Sequence, residues 1–150
     1  MGIRSFSNKL KSIKLVGLDA MIFIYHFDQR QPYYPLTLRI FELLEQKTFE
    51  AITSMMSPIE VLSHPPLEKE LEKLKSFHDF FLRERGLKIC EVDFEIADSA
   101  AFLRRKYRLR TPDAIQLATA MKNEAELFIT NDDRFRKVPS FPILLLKDFV

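Results

Sequence analysis

The chain has 150 residues, 47% hydrophobic and 29% charged, with a formal net charge of +2. That length suits one domain whose core needs no staples, and the single cysteine, Cys90, excludes an intrachain disulfide and fits a reducing compartment. The three glycines, Gly2, Gly17 and Gly86, lie too far apart to build a phosphate-cradling glycine loop, and so small a net charge does not by itself announce a nucleic-acid binder.

Residues 1–12, with Lys9 and Lys11, read as a polar lead-in, so a single domain is expected over residues 13–150. Residues 13–18 form an apolar run suited to a buried strand, ending at Asp19. The wider apolar stretch, residues 15–25, is too short to span a bilayer and carries Asp19 within it. No small-residue cleavage site follows it, and Phe6 stands where a myristoylation signal wants Ser or Thr. A cytoplasmic, unanchored protein is expected.

Residues 20–27 suit a helix and residues 29–35, with two prolines, a loop. Leu36, Ile40, Leu43 and Leu44 repeat at helical spacing, and residues 49–53 suit a second strand. Ser57-Pro58 opens a helix that His64-Pro65-Pro66 closes. Leu71, Leu74, Phe77 and Phe81 mark a helix over 67–85, with Gly86 as its C-cap. A strand over 87–92 precedes an amphipathic helix over 94–107, and Thr111-Pro112 starts another that reaches Asn123. Strand 126–130, a helical turn at 133–137 and strand 142–146 complete the chain. Strands alternating with helices predict a three-layer α/β/α sandwich with a mostly parallel central sheet.

In such sheets ligands bind beyond the carboxyl ends of the strands, and four acids fall there. Asp19 and Asp132 directly follow strands; Glu60 and Asp113 lie in the first turns of helices. Each has a plain structural explanation. Ser57 to Glu60 matches a capping box, Asp113 complements a helix dipole, and Asp132 can cap the short helix after it. Together, four carboxylates in one cleft would repel one another and raise each other's pKa, which a hard, oxygen-seeking cation such as Mg²⁺ or Mn²⁺ resolves. Arg104, Arg105, Lys106, Arg108 and Arg110 crowd one stretch, and Arg134, Arg136 and Lys137 another. Taken alone, such runs are solvated helix faces. The histidines lack metal-ligand spacing. A phosphatase with Asp19 as nucleophile would want an aspartate at position 21, where Met21 stands.

Four blocks, Leu18-Asp19, residues 57–62, residues 111–120 (TPDAIQLATA) and residues 128–132 (FITND), together resemble the PIN domain family, and its toxin-type, VapC-like ribonucleases in particular. The resemblance implies a metal-dependent endoribonuclease, often the toxin of a toxin–antitoxin pair, with Asp19, Glu60, Asp113 and Asp132 as Mg²⁺- or Mn²⁺-binding catalytic acids. It places Thr130 as a supporting hydroxyl and leaves Asp133 as a one-residue alternative to Asp132. Arg104, Arg105, Lys106, Arg108 and Arg110 then become candidate contacts to an RNA backbone. A cognate antitoxin and a homodimer are the implied partners, with residues 36–44 or 77–81 as candidate dimer faces. One position departs from the family: Met21 stands where Asn, Thr or Ser is usual and offers no strong hydrogen bond. The competing expectation is a catalytically weakened PIN-fold protein that binds RNA or regulates.

Overall fold

A computed structural model describes residues 2–150. Its first element corrects the reading of a polar lead-in, because residues Ile3–Leu10 form helix α1. Phe6 and Leu10 are fully buried and Ser7 is nearly so. Leu10 is three residues from Ser7 and four from Phe6, so the three share one face, which leaves Lys9 to the solvent side.

The chain continues through β1 (Leu15–Leu18), α2 (Ala20–Phe27), α3 (Tyr34–Glu45), β2 (Glu50–Ser54) and α4 (Met56–Leu62). Then come α5 (Leu71–Arg83), β3 (Leu87–Cys90), α6 (Phe94–Tyr107), α7 (Thr111–Lys122), β4 (Leu127–Thr130) and β5 (Ile143–Leu145). Short 3₁₀ helices occupy Pro65–Lys69, Asp133–Lys137 and Leu146–Phe149. The helix expected over 67–85 is thus two pieces, broken at Glu70 where the backbone leaves helical space (φ −118°, ψ 63°). Helix α5 ends when Glu84 turns extended, so Gly86, at φ +80°, serves the turn into β3 and not a C-cap.

All strand pairings are parallel and the sheet order is β3-β2-β1-β4-β5. Strand β1 is central, and the winding direction reverses between β1 and β4. A crevice at the carboxyl end of such a reversal is where open α/β sheets place their ligands. Side chains alternate across the sheet. Val16, Leu18 and Ile129 join α1, α2 and α3 in one core, while Ile52 and Phe128 join α6 and α7 in the other. That is the expected three-layer α/β/α sandwich. Among the described residues no helix is long and apolar enough to cross a membrane.

Gly17 lets α7 lie close on β1. A Cβ there would stand 2.6 Å from the Cβ of Ala120 and 3.1 Å from the Phe128 ring. Gly17→Ala is therefore expected to lower stability by about 1–3 kcal/mol through overpacking. Urea denaturation checks it, and an unchanged midpoint would show that α7 shifts freely.

Both chain ends feed one core: the Phe6 and Phe149 rings meet edge-on at 5.2 Å. Leu36, Ile40, Leu43 and Leu44 are buried within the protomer, and within residues 36–44 Leu38 is the large hydrophobic left exposed. Helix α5 differs. None of its residues is fully buried; Phe77 stacks on Phe27 at 4.5 Å, while Leu71 and Leu82 are 69% and 82% exposed.

Candidate functional site

Asp19 ends β1 and begins α2. Its Oδ1 accepts the Ala20 backbone N–H at 2.8 Å, capping the helix, and its Oδ2 accepts the Thr130 hydroxyl at 2.6 Å. Thr130 Oγ1 in turn accepts the Asp132 backbone N–H at 3.2 Å. One hydroxyl therefore links the two acids on either side of the reversal point. Asp19 is only 5% exposed, and burial pushes its carboxyl up to about 7, with the charges of Asp113 and Glu60 adding to the rise.

Asp113 lies buried in the first turn of α7. Arg110 forks it, Nε to Oδ2 at 2.8 Å and Nη2 to Oδ1 at 3.3 Å. Glu60, on α4, is raised by partial burial and then by the Asp113 charge, with Arg110 opposing. Asp19, Glu60 and Asp113 thus lie within one another's fields. Asp132 caps the following 3₁₀ helix through the Arg134 N–H at 2.9 Å, and the Arg134 guanidinium binds both its carboxylate oxygens and holds it below the usual carboxylate range. The same guanidinium reaches within 3.8 Å of Asp113 Oδ2.

Asp133 goes elsewhere. It meets Lys147 Nζ at 2.6 Å and Arg136 Nε at 3.2 Å, a surface cluster that also holds Asp148. Among the described residues no three of His, Cys, Asp or Glu stand close enough together to grip a metal ion in this arrangement. Arg110 and Arg134 hold the carboxylate oxygens of Asp113 and Asp132.

The capping box expected at Ser57 to Glu60 does not form. Helix α4 begins one residue earlier, at Met56, with no side-chain cap, and Ser57 is fully buried. Ser57 belongs to a network that composition and motif left unseen, centred on Gln116, which is 3% exposed. Gln116 Nε2 donates to Ser57 Oγ at 2.8 Å, and its Oε1 accepts from Ser54 Oγ at 2.8 Å and Ser54 N at 3.2 Å. Thr53 Oγ1 donates to the Leu18 carbonyl at 2.8 Å, so the 2.6 Å contact between Ser57 and Thr53 takes its proton from Ser57. A directed chain therefore runs from α7 through α4 and β2 to the residue before Asp19. A buried polar side chain one turn beyond Asp113 was the available signal.

Met21 fills the position where a polar residue was expected. Its Sδ lies 3.0 Å from the Asn131 N–H, and the Thr130 hydroxyl is 3.7 Å away. The thioether is a weak acceptor, so these contacts are weak where Asn, Thr or Ser would offer a strong partner. Asn131 fixes the loop by accepting the Lys147 N–H at 2.7 Å.

The basic run divides. Arg110 turns to Asp113, while Arg104 Nε bonds the Leu109 carbonyl at 3.3 Å. Arg105, Lys106 and Arg108 are exposed, and Lys106 lies over the Phe102 and Tyr107 rings at 5.6 and 5.4 Å. Their place at the C-terminal end of α6 favours positive charge in its own right.

A family model, the PIN domain, matches residues 16–140. Among solved structures, VapBC2 of Rickettsia felis, bound to a promoter DNA fragment, aligns with TM-score 0.66 and 18% identity over 87% of this chain and 98% of that chain. A toxin–antitoxin complex of Klebsiella pneumoniae aligns with TM-score 0.63 and 23% identity over 89% and 97%. VapC20 of Mycobacterium tuberculosis, a sarcin–ricin-loop-cleaving toxin, aligns with TM-score 0.64 and 15% identity over 85% and 96%. No curated protein matches the sequence significantly.

Proposed function

Since the chain belongs to the PIN domain family, we propose that it is a metal-dependent endoribonuclease and the toxin of a toxin–antitoxin pair. The catalytic unit is a single domain over residues 13–150, with α1 packed on it, working in the cytoplasm. Its partners are an RNA substrate, a cognate antitoxin and a second copy of the chain. The observation that carries the reading is electrostatic: burial and the Asp113 charge push up both the Asp19 and the Glu60 carboxyls at the carboxyl edge of the sheet, and Glu60 adds to the rise at Asp19. Burial chiefly, with those like charges, pushes the Asp19 carboxyl up to about 7.

The donor set fits Mg²⁺ or Mn²⁺: Asp19, Glu60, Asp113 and Asp132 offer only hard oxygen ligands. A divalent ion there supplies polarised water for attack on phosphorus and neutralises charge on the phosphate. This chain's residues do the rest. Thr130 aims the Asp19 carboxylate, and the Gln116 network keeps α4 and α7 in register with β1. Arg104, Arg105, Lys106, Arg108 and Arg110 offset the repulsion that four acids would exert on an RNA backbone.

Purified protein is expected to cut single-stranded RNA with Mn²⁺ or Mg²⁺, to stop in EDTA, and to lose cleavage in Asp113→Asn with the fold intact. A capping or dipole role alone would tolerate that isosteric change. Intact, metal-loaded protein that leaves diverse RNAs whole would instead support a PIN-fold binding protein, the role for which Met21 speaks.

A further inference from the structure

We propose that Arg134 serves two ligands in turn: in the metal-free protein it is the resident counter-cation of Asp113 and Asp132, and with metal bound it holds a phosphate of the RNA. The inference rests on the proposed nuclease reading and adds a residue that reading does not use.

The geometry is specific. Arg134 Nε lies 3.0 Å from Asp132 Oδ1 and 2.9 Å from its Oδ2, and Nη2 also bonds Oδ2. Nη2 further stands 3.8 Å from Asp113 Oδ2. One planar guanidinium thus bridges Asp132, which follows β4, and Asp113, in the first turn of α7. Its own side chain is 45% exposed, whereas the carboxylates it covers are 12% and 9% exposed. An arginine anchored by burial would lie deeper than its partners. This one lies across the opening, with solvent behind it and room to leave.

Two consequences follow from charge alone. A divalent cation and the guanidinium compete for the same carboxylate oxygens, so the arginine weakens metal binding when no RNA is present. Once displaced, a planar fork tethered one turn from the acids suits a phosphate, whose oxygens accept paired N–H donors as a carboxylate does. The arginine then opposes the metal in free protein and assists it in the complex. A lysine would keep the charge but lose the fork.

The test uses the full chain, wild type against Arg134→Gln and Arg134→Lys. Mn²⁺ affinity without RNA is measured by calorimetry. Affinity for a mixed-sequence single-stranded RNA is measured by anisotropy at saturating Mn²⁺, in the cold, with the RNA verified uncut. Arg134→Gln is expected to bind Mn²⁺ about tenfold more tightly and RNA about tenfold more weakly; Arg134→Lys should fall between on both. Opposite signs are the signature, since a purely structural defect weakens both. An unchanged or weakened Mn²⁺ affinity in Arg134→Gln overturns the inference while leaving wild-type cleavage, and so the nuclease reading, standing. Wild type and variants all failing to bind Mn²⁺ would sink both.

Discussion

Asp19→Asn is expected to abolish RNA cleavage, by roughly a thousandfold or more, and at the same time to stabilise the metal-free fold at pH 8. The first effect follows from removing one anionic ligand from the centre, where the cation contributes several kcal/mol to the transition state. The second follows from linkage. In the fold the carboxyl is pushed from 3.8 to about 7, chiefly by burial, with Asp113 and Glu60 adding and the bonds from Thr130 and Ala20 only partly opposing. The folded chain therefore holds this proton more tightly than the unfolded chain. Its contribution to stability is full below about pH 4 and is lost as pH rises through about 7. A shift of that size corresponds to about 4 kcal/mol at 1.4 kcal/mol per unit. Asparagine does not ionise, so its fold escapes the loss. Urea melts in EDTA between pH 5 and 8.5 should show wild type weakening with rising pH and the variant much less so, and Mn²⁺ should restore stability to wild type alone. Wild-type stability that is flat over that range would contradict the charge placement.

Gln116→Leu is expected to lower stability by about 2–4 kcal/mol. The substitution keeps volume but removes the acceptor of Ser54 Oγ and Ser54 N and the donor to Ser57. Unpaired buried groups carry about 1–3 kcal/mol each. Gln116→Glu should fare no better, because it retains the acceptor, loses the donor and buries a charge. Denaturant midpoints at constant slope measure both. A neutral Gln116→Leu would mean that Ser54 finds water or another partner, and that α4 and β1 do not depend on α7 for their register.

Much of this was legible in the chain. Helices 20–27 and 94–107 are legible from their composition and amphipathic pattern, and in the structure Asp19 and Asp93 cap them. The acids were findable by the rule that chemistry sits after strands. What escaped was tertiary. Residues 1–12 looked polar by content although Phe6 and Leu10 share a face. Ser57 matched a local capping pattern, yet its hydroxyl answers to Gln116, far along the chain. Arg134 read as one of a surface run because nothing local says which carboxylate a long side chain will find. Asp132 and Asp133 were inseparable by sequence; Lys147, beyond β5, draws the second away.

The contact between Phe6 and Phe149 has a consequence in time. One core takes side chains from α1 and from the 3₁₀ helix Leu146–Phe149, so closing it joins segments far apart in sequence. Asp19 and Asp132 follow β1 and β4, neighbouring strands of the sheet that this core supports. A chain whose residues 143–149 have yet to pack has Asp19, Glu60, Asp113 and Asp132 in hand but not the completed core behind them. The carboxyl edge of the sheet is therefore expected to settle last, when the segment around Phe149 docks on α1.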